Sequence, residues 1–102
     1  MGQIINITEK LSSSKPKIVI GEKEYEVNHD IETVLKFEEL AVVATGENMV
    51  KAIEISMGKE AAKELNVKKM SVPNFKVLTV ALLAAMQGIS YDEAEKRFLT
   101  KL

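Results

Sequence analysis

The sequence predicts an α+β fold, mainly helical: an N-terminal β-hairpin packed on a bundle of four to five helices. Three observations carry that expectation. Two short β-rich runs flank a turn at Gly21, apolar residues recur at helical spacing from Ile31 onward, and helix-start and helix-stop residues punctuate the chain after Val27. With 102 residues, the chain has the length of one small domain.

Residues 1–15 read as a flexible leader. An apolar-polar segment from Ile4 to Leu11 is followed by the breaker cluster Ser12-Ser13-Ser14-Lys15-Pro16. Ile4, Ile5, Ile7 and Leu11 have a second possible use, which is to order on a partner. Residues 16–102 read as a single hairpin-plus-helices domain.

In that domain Lys17 to Ile20 is β-rich, Gly21-Glu22-Lys23 turns, and Glu24 to Val27 alternates polar and apolar. Tyr25 and Val27 point to one face, Glu24 and Glu26 to the other, and Ile18 shares a face with Ile20. A two-stranded hairpin is marginal alone, so helices must cover its apolar face.

Asn28 or Asp30 caps a helix from about Ile31 to Ala44, with Ile31, Val34, Leu35, Phe37, Leu40 and Ala41 forming a broad apolar stripe. Thr45-Gly46 is expected to end it. A second helix from about Glu47 to Met57 stops at Gly58. Lys59 to Leu65 is short and helical by propensity, and Asn66 to Met70 is a lysine-rich connector. Ser71-Val72-Pro73 starts a helix running to Gln87, apolar nearly all round and therefore buried in the domain or in an oligomer. Gly88 closes it. Ser90 with Glu93 forms a capping box for the last helix, Ile89 and Ala94 form a hydrophobic staple, and Ala94, Phe98 and Leu102 lie inward.

Composition bounds the chemistry. The chain has no Cys and one His, which excludes disulfides, thiol nucleophiles and multi-His metal sites. Lys+Arg number 14 against 15 Asp+Glu, so bulk charge gives no attraction to nucleic acid or an anionic membrane. No apolar run approaches the ~20 residues of a membrane span, and the opening residues lack a signal-peptide pattern. The expected location is the cytoplasm.

No catalytic constellation is visible, and the expectation is a non-enzyme without cofactor or metal. His29 lies between Asn28 and Asp30 at the strand-to-helix junction and reads as a surface turn residue. The carboxylates are accounted for by i,i+4 pairs on solvated helix faces: Glu32 with Lys36, Glu64 with Lys68, Asp92 with Lys96, and Glu93 with Arg97. No glycine-rich phosphate loop is present. Lys63, Lys68, Lys69 and Lys76 form the one basic concentration; a single Arg and core-committed aromatics speak against a nucleic-acid surface.

Methionine at helical spacing has two readings, core filler or an adaptable groove that accepts a partner helix. On the groove reading the partner-binding residues are Met49, Ile53 and Met57 on the second helix. Phe75, Leu78, Leu82 and Met86 join them from the helix that starts at Ser71.

The order of a hairpin KIVIGEKEYEV (Lys17 to Val27), a helix IETVLKFEEL (Ile31 to Leu40) and a closing LLAAMQGISYDEAE (Leu82 to Glu95) resembles the small tail assembly chaperones of long-tailed bacteriophages and prophages. The resemblance covers roughly residues 17–99. It implies a protein that binds helical segments of the tape measure protein during tail morphogenesis, with the tail tube protein as a further partner and homo-oligomers possible. Two other readings stay open: another small phage structural subunit for tail completion or connection, or a small nucleic-acid-binding regulator using the Lys63–Lys76 region.

Overall fold

In the computed structural model, residues 2–11, 14–43 and 45–101 are described, with side chains as far as Arg97. The expected breaker serines 12 and 13, the helix end at Ala44 and the inward roles of Phe98 and Leu102 lie outside the described residues. The architecture is an antiparallel hairpin followed by five helices, 63% helical, which is the α+β, mainly helical class.

β1 (Lys17–Ile20) pairs with β2 (Lys23–Glu26) in the register Lys17 to Glu26, Ile18 to Tyr25, Val19 to Glu24 and Ile20 to Lys23. The turn is thus two residues, Gly21-Glu22. Gly21 has φ +66 and Glu22 is not among the positive-φ residues, the combination a type II′ hairpin turn demands. The pairing extends one step further where Val27 N–H donates to Pro16 C=O at 2.9 Å. Alternation holds: Tyr25 and Val27 are buried, Glu24 and Glu26 exposed.

α1 (Ile31–Val42) begins at Asp30, whose carboxylate accepts from the Thr33 N–H at 3.1 Å and the Thr33 hydroxyl at 2.7 Å. These hydrogen bonds, the hydroxyl first, hold the Asp30 carboxyl below the usual carboxylate range. α2 (Gly46–Met57) starts one residue earlier than expected. Thr45 is its N-cap, with Oγ1 accepting from Asn48 N–H at 3.1 Å, so Thr45 opens the second helix where the sequence had suggested the end of the first. Gly58, at φ +92, stops α2 and leads into α3 (Lys59–Glu64). A 3-10 turn at Val67–Lys69 follows, entered through Asn66 in the left-handed region.

α4 (Val72–Gln87) is capped by Ser71, which accepts from Asn74 N–H at 3.3 Å, with Pro73 in the first turn. It ends at Gly88 in the left-handed conformation; Ile89 N–H donates to Ala84 C=O at 3.1 Å, the bond of a Schellman closure. α5 (Tyr91–Lys101) leaves at 107° to α4. Ser90 Oγ accepts from Glu93 N–H at 3.1 Å, while the Glu93 carboxylate accepts from Arg97.

The main core joins Tyr25 and Val27 of the hairpin segment to Phe37, Ile53, Leu78 and Leu82. A second cluster of Val80, Ala84 and Ala94 ties α4 to α5, with Ile89 packed against it. α4 packs on two sides, the hairpin and α2 on one and α5 on the other, while Val72 and Val77 keep apolar surface in solvent. Of the two expected fates of this helix, burial in the domain accounts for Leu78, Val80, Leu82, Ala84 and Met86. Among the described residues, no single helix is long and apolar enough to cross a membrane.

Candidate interaction surfaces

Of the seven residues expected to bind a partner, Ile53, Met57, Leu78, Leu82 and Met86 are buried, Ile53 and Leu82 completely. Met49 and Phe75 are half-buried. The fold does bring Ile53, Met57, Leu78, Leu82 and Met86 together, as the main core with Phe75 packed against it. They offer no open groove in the isolated chain.

Apolar side chains do reach solvent elsewhere. In the N-terminal arm, residues 2–11, Ile4 is 94% exposed, Ile5 70% and Leu11 69%. The arm's one turn of 3-10 helix, Thr8–Lys10, is held locally by Asn6, whose Oδ1 accepts from Thr8 N–H and Oγ1. The radius of gyration of 15.3 Å exceeds the ~13 Å of a compact chain this long, so the chain is elongated.

On α1, Ile31 is 79% exposed, Leu35 60% and Val42 82%. At ~100° per residue these three lie within ~40° of one another on the helix surface. Phe37 and its half-buried neighbours Val34 and Leu40 face the core, and Ala41 is half-buried beside them. The sequence stripe from Ile31 to Ala41 was thus two faces read as one. Its breadth was the available signal, because it spans ~220° of circumference where one core contact needs ~100°.

Charge is distributed unevenly over these elements. α1 and its cap carry Asp30, Glu32, Glu38 and Glu39 against Lys36, whose Nζ is 3.8 Å from Glu39. α3 and the following turn carry Lys59, Lys63, Lys68 and Lys69 against Glu60 and Glu64. Lys59, Lys63 and Lys68 line a hollow of about 360 Å³ together with Val50, Ala62 and Val67 as its apolar wall; Glu54 and Asn66 complete it. Among the described residues, none of those three lysines has an ion-pair partner. A second depression beside α1 is lined by Asp30, Glu32, Thr33, Lys36 and Glu39 around Leu35 and Ile55.

Glu64 is withdrawn from this cationic region by a partner the sequence did not suggest. Both its oxygens accept from Lys23 Nζ, and Oε1 also accepts from the Tyr25 hydroxyl at 3.2 Å. Lys23 lies 5.3 Å from the Tyr25 ring centroid, within cation-π range. The hydrogen bond from Lys23 holds the Glu64 carboxyl below its ordinary range and raises the Lys23 ammonium above its own. Desolvation, then the hydrogen bond to Glu64, raises the Tyr25 phenol. The expected Glu64–Lys68 pair gives way to this strap, and Lys36 pairs with Glu39 where Glu32 was expected; Glu93–Arg97 forms at 3.2 Å.

His29 is half-buried, and its Nδ1 is enclosed without a hydrogen-bond partner, so it is more enclosed than a surface turn residue. Its neighbour Asn28 is the structural residue: its N–H donates to Ser56 C=O at 2.9 Å and its Nδ2 to Ile55 C=O at 3.0 Å, docking the hairpin exit on the end of α2. No group of three or more His, Asp or Glu is placed to hold a metal among the described residues.

Comparison with known proteins finds no matching family model, no matching curated protein and no matching solved structure.

Proposed function

We propose that this chain is a protein-binding adaptor or assembly chaperone, acting in the bacterial cytoplasm on helical segments of a tape measure protein during phage or prophage tail assembly. The observation that carries the reading is the exposed apolar arm. Ile4, Ile5 and Leu11 are in water although burial of each side chain is worth about 1.5–3 kcal/mol, so a partner surface has something to gain from them. Ile53, Met57, Leu78, Leu82 and Met86 are buried in the core, which moves the candidate contact from the methionine-bearing helices to this arm. A segment that orders on its partner can follow apolar ridges of varied sequence, as a chaperone of long helical clients must.

Co-expression with a tape-measure-like protein tests the reading. The expected result is a higher soluble yield of that protein, lost in the Ile4→Ser/Ile5→Ser/Leu11→Ser variant. An unchanged yield at every stoichiometry overturns it.

A further inference from the structure

We propose that the exposed ridge of α1 is a docking surface for a partner helix whose apolar stripe is flanked by lysine or arginine. The ridge is Ile31, Leu35 and Val42, all exposed, while the same helix buries Phe37 in the core. An isolated apolar side chain on a surface needs no explanation, but three aligned along one helix do. Their spacing of i, i+4 and i+11 makes an anchor row for a helix laid alongside, ~17 Å long at ~1.5 Å per residue.

The remaining position of that row, i+7, is Glu38, so a carboxylate stands in the line of the ridge itself. At ~100° per residue Glu39 and Glu32 lie about 40–60° from Leu35 on one flank, whereas Lys36 is ~100° away. Glu32 and Glu38 have no ion-pair partner among the described residues; Glu38 Oε1 accepts from the neutral Gln87 amide at 3.3 Å. Glu39 has only Lys36 at 3.8 Å, with both side chains largely in water, an interaction of little strength. The depression of about 520 Å³ beside α1 continues the surface, with Leu35 and Ile55 among Asp30, Glu32 and Glu39.

That charge decides among the occupants an exposed apolar helix face can take. Three glutamates repel nucleic acid and an anionic membrane. A second copy laying its own α1 across this one sets glutamate against glutamate, and like charges brought together at an interface cost affinity. A helix with basic residues on both sides of an apolar stripe gains from the ridge and the carboxylates together. Apolar contact supplies the affinity, and the charges steer the encounter and select which helices are accepted. The ridge lies on α1, apart from the arm, so this docking and the arm's proposed client binding can fail independently.

The test is fluorescence anisotropy of labelled synthetic helices titrated with the full chain. The probe is a peptide of about 18 residues, long enough to hold a helix, with leucine at i, i+4, i+7 and i+11, lysine on both flanks and alanine elsewhere. Saturable binding is expected, at least about tenfold tighter than for the same peptide with glutamate at each lysine position. It should weaken at about 1 M salt, where the Debye length is about 3 Å. Leu35→Asp should lose binding although it adds a negative charge, and Glu32→Lys/Glu39→Lys should lose the preference for the lysine peptide. Circular dichroism should be unchanged in both variants, because all three positions are exposed. No binding up to about millimolar concentration overturns the proposal. So does equal binding of a peptide with serine at each leucine position, which reduces the contact to charge, or binding that survives in Leu35→Asp. A wild-type chain that is dimeric at the assay concentration and monomeric in Leu35→Asp overturns it too, because a second copy then covers the ridge.

Discussion

Lys23 and Glu64 are 41 residues apart in sequence, yet the Lys23 ammonium donates to both carboxylate oxygens of Glu64, the second at 2.6 Å. This contact, with the Tyr25 hydroxyl beside it, fastens the second hairpin strand to α3. It is a surface contact, so its role is to select one docking of the hairpin more than to stabilise the fold at large.

The pH dependence of stability follows from its sign. Glu64 has a folded-state pKa below its unfolded value, so between the two the unfolded chain binds more protons. Its contribution is present above the ordinary glutamate pKa of about 4.3 and is lost as pH falls through the lower, folded value. Lys23 has a raised pKa, so its contribution is present below the ordinary lysine value and is lost only in strong alkali. Urea midpoints measured from pH 7 to pH 2.5 should fall less steeply for Glu64→Gln than for the wild type, with the difference confined to the acid limb. Parallel curves would assign the acid sensitivity elsewhere.

Phe37 and Leu82 are fully buried and belong to the same core cluster. Phe37→Ala should cost about 3–5 kcal/mol and Leu82→Ala about 2–5 kcal/mol, from lost transfer energy and the cavity left behind. Against the roughly 5–15 kcal/mol available to a domain of this size, either change should lower the urea midpoint severely. A loss under about 1 kcal/mol would mean that the core collapses around the gap.

Two glycines should respond with opposite signs to alanine. Neither Gly46 nor Gly88 has any atom within 4 Å of an added Cβ, so sterics with neighbours play no part. Gly88 sits at φ +67, where Ala is strained by roughly 1–2 kcal/mol, so Gly88→Ala should destabilise by about that amount. Gly46 is the first residue of α2 and has no positive φ; Gly46→Ala should stabilise by about 0.4–1 kcal/mol through the unfolded chain's lost freedom. Thermal unfolding of the pair gives both signs in one experiment.

The arm should be dispensable for folding. Ile4, Ile5 and Leu11 lie in water, so the Ile4→Ser/Ile5→Ser/Leu11→Ser variant should keep its urea midpoint to within about 0.5 kcal/mol of the wild type. A larger loss would show that the arm packs on the body in solution and is not free to meet a partner.

Asn28 is expected to matter more than its polar character suggests. Removing its side chain in Asn28→Ala takes a donor from Ile55 C=O at the point where the hairpin exit meets α2. The cost should be about 1–2 kcal/mol, readable as an earlier urea midpoint and faster amide exchange in the Val27–Asp30 segment.

The sequence by itself determined the local elements, because caps and turns are made among residues three or four positions apart. Asp30 to Thr33, Ser71 to Asn74, Ser90 to Glu93 and the left-handed glycines at 58 and 88 are contacts a short peptide already encodes. Thr45 was misread because a Thr-Gly pair signals a stop and a start equally, and only the geometry around Asn48 distinguishes them. Tertiary structure alone decided which faces are buried. Ile31 and Leu35 are as apolar as Val34 and Phe37, and what assigns the second pair to the core is the position of α2, a long-range fact. The same holds for Glu64, taken by Lys23 from across the fold, and for α4, which buries Leu78 and Leu82 with the hairpin and α2 and Val80 and Ala84 with α5 but leaves Val72 and Val77 exposed. Periodicity tells how much apolar surface a helix carries. Only the packing of the whole chain divides that surface between a core and the solvent.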